Sequence, residues 1–211
     1  MINEDIILKE EYFGLSQQLI KEMNSLSLFK KEKLVIAICG ESGSGKSVTA
    51  KCLKILLDQQ NINSLILHQD SYFILPPSQN HAKRKADISW VGANEVQLDL
   101  LQQHINCFKS FEEKIIVPVV DYEKNIFLQE ELNLKNISIL IVEGVYSFFQ
   151  QQLDCKIFIE KTYKETLPNR KKRSREIYDP FVEKVLSIEH GIIAPLKETA
   201  DVLVSKNYLL K

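Results

Sequence analysis

The 211-residue chain holds seven glycines, six prolines and four cysteines, and this scarcity leaves no stretch that reads as a domain linker. No internal repeat is present either. Cys39, Cys52, Cys107 and Cys155 have no C-x-x-C spacing and sit mostly in apolar segments. They therefore read as buried thiols in a reducing compartment, not as a disulfide frame or a metal site. The four histidines, His68, His81, His104 and His190, lack ligand spacing too, which argues against a zinc site. Neither sign of charge prevails, with 27 basic against 28 acidic residues and a net charge of −1. That balance speaks against nucleic acid or a membrane surface as partner. No apolar run approaches the roughly eighteen residues of a membrane span, and the start lacks a secretory signal pattern. The expectation is one soluble, cytoplasmic domain over residues 1–211.

Against this scarcity, three of the seven glycines crowd into Gly40-Glu41-Ser42-Gly43-Ser44-Gly45-Lys46-Ser47, a complete G-x-x-x-x-G-K-[ST] loop. Glycines there let successive backbone N–H groups turn onto a phosphate, because side chains would block the approach and positive φ angles are needed. Lys46 then reaches the terminal phosphates and the Ser47 hydroxyl ligates Mg²⁺. Lys33 to Cys39 is a β-branched apolar run suited to a buried parallel strand, and Ser47 to Leu57 has helical periodicity. Strand, glycine loop and helix thus follow in the order that phosphate binding requires. The nucleotide-binding residues are Gly40, Glu41, Ser42, Gly43, Ser44, Gly45, Lys46, Ser47 and Val48, with ATP and Mg²⁺ as cofactors.

Residues 2–31 read as an amphipathic helical extension packed on the domain, and as a candidate for partner binding or homo-oligomerisation. Strands are expected at 63–68, 114–120, 137–142, 156–159 and 202–204, and helices at 96–108, 162–177, 180–188 and 193–200. The stretch 75–87, rich in Pro, Ser, Asn and Lys, reads as a lid or substrate loop. Strands alternating with helices predict an α/β fold with a parallel sheet flanked by helices on both faces.

Phosphate acceptors bind near the carboxyl ends of neighbouring strands. Asp70 follows the second strand and can take a proton from a hydroxyl nucleophile or orient Mg²⁺; capping of the next turn is its structural alternative. Glu143 ends a wholly apolar strand, where a carboxylate is costly to bury unless it meets a cation. It is a Mg²⁺ candidate with Ser47, the alternative being a plain helix-start carboxylate. Asn169 to Arg175 carries five cations in seven residues. Arg170 and Arg173, three apart, share a helix face and suit a closing lid, whereas a solvated face or a nucleic-acid patch has the same composition. Trp90 can stack on a ring or serve as an amphipathic core residue.

The phosphate loop, Asp70-Ser71-Tyr72-Phe73, Val117-Pro118-Val119-Val120-Asp121-Tyr122, Ile141-Val142-Glu143-Gly144-Val145 and Arg170-Lys171-Lys172-Arg173 together resemble the uridine kinase and phosphoribulokinase family over residues 33–206, most closely its uridine–cytidine kinase branch. The resemblance implies a P-loop kinase that passes the γ-phosphate of ATP to a hydroxyl of a small acceptor. It implies Asp70 as general base, Glu143 as a Mg²⁺ positioner, and Arg170 and Arg173 as a lid acting with Lys46 in catalysis. It further implies adenine beside the segment after Val204. The acceptor is expected between the loop 72–95, Asp121 and Tyr122, with Tyr72 and Trp90 among its contacts. The chain departs from the family on the acceptor side. Trp90 to Gln97 stands where F-D-H-P-x-A-x-D is usual, Asn125 and Phe127 occupy the places of a nucleoside-binding His and Arg, and Val120 replaces a Tyr.

Overall fold

The structure is a computed structural model that describes residues 9–172 and 179–211. Its centre is a five-stranded parallel sheet of β1 (Leu34–Gly40), β2 (Ser64–His68), β5 (Ile139–Glu143), β6 (Cys155–Ile159) and β7 (Val202–Val204), in the order β2-β5-β1-β6-β7. Every residue of β1 and β5 is buried. The wholly apolar runs divide by strict alternation. Leu34, Ile36 and Ile38 with Ile139 and Ile141 face one core cluster, and Val35, Ala37 and Cys39 with Leu140 and Val142 face the other. A sheet covered on both faces needs apolar side chains at every position, which is why these strands show no polar alternation in sequence.

The first face carries α1 (Glu10–Ser25) and α2 (Lys46–Gln59). Tyr12, Leu15, Leu19 and Met23, spaced three and four apart, form the buried stripe of α1. The helix is shorter than the expected 2–31: it ends at Ser25, Ser27 turns left-handed, and a 3₁₀ turn spans Leu28–Lys30, while residues 1–8 lie outside the described residues. The second face carries α4 (Leu98–Lys109), which buries Leu101, His104, Ile105 and Phe108.

Three expectations need correction. The stretch 75–87 is mainly a helix, α3 (Pro77–Ala86), opened by Pro77 in its first turn. Its sequence has no apolar stripe, so periodicity could not reveal it. The strand at 114–120 does not join the parallel sheet. It is β3 (Lys114–Asp121), paired antiparallel with β4 (Ile126–Asn133), a half-exposed strand that lacks a clear apolar alternation. The first of the two short helices expected after Pro180 is longer than expected, α6 (Pro180–Ile193), capped by the Asp179 carboxylate on the Phe181 N–H, and the second is a 3₁₀ helix over Ala194–Thr199 that follows it directly. The basic helix is described as α5 (Tyr163–Lys172), with Pro168 inside it; Arg173 lies outside the described residues.

All four thiols are unpaired, with Cys39, Cys52 and Cys155 buried. Burial pushes the Cys39 and Cys52 thiols up to about 11 and that of Cys155 up to about 12. Among the described residues no helix is long and apolar enough to cross a membrane.

Candidate active site

The register of the parallel sheet gathers the carboxyl ends of three strands. Glu143 is the partner of Ile38 in β1 and of His68 in β2. The phosphate loop leaves β1 at this edge and enters α2, and Gly40, Gly43 and Gly45 have φ of 149°, 76° and 99°. A Cβ at Gly40 would lie 2.8 Å from the Ile159 carbonyl oxygen and 2.9 Å from Ser44 Oγ, so both conformation and space demand glycine. Lys46 is buried, its Nζ donating to the Glu41 carbonyl at 3.0 Å. Val48 points into the core, leaving its backbone at the helix start to serve a ligand.

Behind the loop, His68 Nδ1 lies 2.7 Å from Glu143 Oε1. Desolvation of the buried Glu143 would raise its pKa, but the His68 hydrogen bond and charge, the Lys46 charge and the Ser47 hydroxyl prevail and hold it below the usual carboxylate range. His68 moves the other way. Desolvation pulls it down, while the Glu143 hydrogen bond and the charges of Glu143 and Asp70 raise it above the ordinary imidazole value. An ionised carboxylate beside a hydroxyl is a hard oxygen pair of the kind Mg²⁺ takes alongside phosphate oxygens and water, so Ser47 and Glu143 fit the metal that the loop implies. Asp70 is exposed in the 3₁₀ turn Gln69–Tyr72, and its charge acts on both His68 and Glu189.

Helix α5 docks directly on the phosphate loop. Glu41 accepts the Tyr163 N–H at 2.6 Å through Oε2, and its Oε1 lies 2.7 Å from His190 Nδ1 of α6. Thr166 Oγ1 donates to the Ser42 carbonyl at 2.8 Å. Arg170 Nη2 donates to the Tyr163 carbonyl at 3.1 Å and to Glu183 Oε1 at 3.0 Å. A Cβ on Gly43 would meet Arg170 Cγ and Thr166 Cβ at 3.0 Å each, which places the Arg170 stem against the loop.

The acceptor side differs from its sequence reading. Tyr72 is only 1% exposed, and its hydroxyl lies 2.8 Å from His104 Nδ1 in the core; the ring presents no surface to an acceptor, which corrects its selection as an acceptor contact. Trp90 is half-buried and donates Nε1–H to Asn80 Oδ1 at 2.8 Å. Asp121 is buried and accepts the Lys124 N–H at 2.9 Å, closing the turn between β3 and β4, next to the exposed Tyr122. Sequence reasoning missed the polar group under α3. Glu95 is fully buried and takes a two-pronged bond from Arg84, whose Nη2 also donates to Glu189 Oε1 at 3.0 Å. Asn80 Nδ2 and the Gly92 N–H complete the Glu95 shell at 2.6 and 2.8 Å. Consecutive residues of α6, Glu189 and His190, thus hold α3 and the phosphate loop.

Comparison with known proteins gives this arrangement its relatives. The model of the Phosphoribulokinase / Uridine kinase family matches residues 35–187. A uridine kinase of Ureaplasma urealyticum is 28% identical over 170 residues, covering 79% of this chain and 81% of that protein. A solved structure described as a possible uridine kinase from Bacillus stearothermophilus superposes with a TM-score of 0.61 at 21% identity, over 90% of this chain and 97% of that one. Phosphoribulokinase from Rhodobacter spheroides does so with 0.63 at 12% identity, over 82% and 70%. With a matched model spanning the phosphate loop, the Asp70 turn, Glu143 and α5, the chain belongs to the phosphoribulokinase and uridine kinase family and is a phosphotransferase that acts on a hydroxyl group of a small molecule.

Proposed function

We propose that the chain transfers the γ-phosphate of MgATP to a hydroxyl of a nucleoside or nucleoside-like alcohol. The observation that carries this reading is the convergence of Lys46, Ser47, Glu143 and His68 at one sheet edge, with the Asp70 charge acting on the same group. Lys46 leaves its resting bond to the Glu41 carbonyl and neutralises charge on the β and γ phosphates. Asp70 accepts the hydroxyl proton of the acceptor as its oxygen bonds to phosphorus and the bond to the ADP oxygen breaks. Ser47, with Glu143 near it, would hold Mg²⁺, which when bound would supply charge neutralisation on the phosphates. Arg170, and on sequence grounds Arg173, closes over the transferring group. Residues 33–206 act as one kinase core with the N-terminal helix attached, in the reducing cytoplasm that four unpaired thiols suit.

The first candidate acceptor is uridine or cytidine, after the Ureaplasma relative. A second reading, nicotinamide riboside, pantothenate or a sugar, is favoured by Asn125. It stands in place of the family His, and its side chain accepts the Ser78 N–H at 2.8 Å and donates to Gln79 Oε1 at 2.6 Å, so it fastens the hairpin to α3. The test is ADP release from MgATP over a panel of nucleosides, vitamins and sugars. At least one acceptor should raise the rate well above that with ATP alone, and Lys46→Ala should abolish the increment. A panel without any response, or full turnover by Lys46→Ala, overturns the proposal.

A further inference from the structure

The two ends of the described chain meet on the phosphate loop. Tyr12 of α1 donates its hydroxyl to Tyr208 Oη at 3.0 Å, and Tyr208 Oη donates to the Ser44 carbonyl at 3.1 Å. Lys161 Nζ donates to the same Tyr208 oxygen at 3.4 Å and lies 4.9 Å from the centre of its ring. The Tyr208 hydroxyl therefore receives two donors and passes one on, a sequence in which each bond polarises the next. The rings close on Gly45. A Cβ there would lie 2.8 Å from Tyr12 Cε1 and 3.0 Å from Tyr208 Oη. Tyr208 has a left-handed φ of 60°, with its N–H on the Ser205 carbonyl at 2.9 Å, and the Leu210 N–H is tied to Gln18 of α1 at 3.4 Å. Both tyrosines are buried and both lie outside the residues 35–187 that match the family model.

The Ser44 carbonyl and the Gly45 N–H belong to one planar trans peptide and point in opposite directions. Holding the carbonyl on the tyrosine side turns the N–H away from the tyrosines. We propose that Tyr12 and Tyr208 are positioning residues for phosphate binding, a hydroxyl relay that fixes the Ser44–Gly45 peptide with its N–H aimed at the nucleotide phosphates. The N-terminal helix is then part of the nucleotide site and more than a cover for α2. This inference rests on the phosphate-loop reading above.

The experiment measures MgADP affinity by calorimetry for the full chain and for Tyr208→Phe, Tyr12→Phe and the double variant, each with its melting temperature. Phe keeps the ring packing and removes only the hydroxyl. Loss of one hydrogen bond that orients a ligand donor predicts about five- to tenfold weaker binding for Tyr208→Phe and about two- to threefold for Tyr12→Phe. With Tyr208→Phe in place, Tyr12→Phe should change nothing further, since its hydroxyl acts only through that of Tyr208. A merely structural role would lower the melting temperature and leave MgADP affinity alone, which overturns the relay, as do effects that simply add. Should Tyr208→Phe fail to fold, unchanged affinity in Tyr12→Phe overturns it. Wild-type protein that binds no MgADP sinks the phosphate-loop reading and the relay together, whereas equal affinities in wild type and variants sink the relay alone.

Discussion

The phosphate loop and the buried group under α3, on the proposed acceptor side, are built from different materials. Around Gly40–Ser47 the candidate ligand groups are backbone atoms together with the Lys46 and Ser47 side chains; Thr166 and Tyr208 bond to the loop carbonyls, and Glu41 of the loop ties it to α5. Under α3 the framework is made of charge: Arg84 spans Glu95 and Glu189, and the polar Asn80 is the buried residue of a helix with the sequence PSQNHAKRKA. A backbone cradle binds any chain of phosphates alike. An ionic framework changes character with each substitution.

Three experiments bear on that contrast. The largest effect is expected at Asp70, whose charge acts on both His68 and Glu189: Asp70→Asn should lower turnover roughly 10²–10⁴-fold, the usual share of general acid–base catalysis, while MgADP affinity stays near wild type in calorimetry. An equal fall in affinity would move Asp70 to the phosphate side as a metal-orienting group. Next comes Arg170. Its Nη2 serves the Tyr163 carbonyl and Glu183 together, and its stem lies on Gly43. Arg170→Lys keeps the charge but cannot form the planar fork, so kcat should fall by about tenfold with little change in melting temperature; wild-type kinetics would make it a strut between α5 and α6.

The smallest effect is a pH dependence of stability on the acceptor side. Desolvation lifts the Glu189 carboxyl to about 7, with Glu95 and Asp70 adding to the rise and Arg84 and Lys46 opposing it. Because the folded-state value lies above the ordinary 4.5, the folded chain binds more protons between those two values. The contribution of Glu189 to stability is therefore full at the acid end of that window and is lost as the pH rises through about 7. The shift corresponds to at most about 3 kcal/mol. Urea unfolding at about pH 5.5 and about pH 8, on either side of the raised value, should show wild type losing stability relative to Glu189→Gln at the higher pH. Parallel behaviour of the two proteins would mean that Arg84 fully compensates both carboxylates.

What could be read from the sequence divides along the same line. The phosphate loop was legible because its constraint is local: glycines that need positive φ stand within eight residues of the lysine and serine they serve. Glu143 was legible because it ends a strand without other polar residues. The framework under α3 was not, since Arg84 finds its partners 11 and 105 residues away, and nothing in a polar helix announces a distant carboxylate. Tyr72 misled for a related reason. An aromatic next to the Asp70 turn has the same local context whether it faces outward or into the core, and the position of His104 on α4 decides. The strand β3 was expected, but β4 and hence the antiparallel hairpin escaped because no residue of β4 is buried, which blurs the alternation that marks a strand.

The state of the four thiols also decides how this molecule can be watched. Cys39, Cys52 and Cys155 are both shielded and held at about 11 to 12, so at neutral pH they offer an alkylating dye neither access nor thiolate. Cys107, half-buried on α4, is the one with a path to solvent. A fluorophore added to the native chain should therefore report from a single known point on the helix that carries His104, with no cysteine needing to be engineered away.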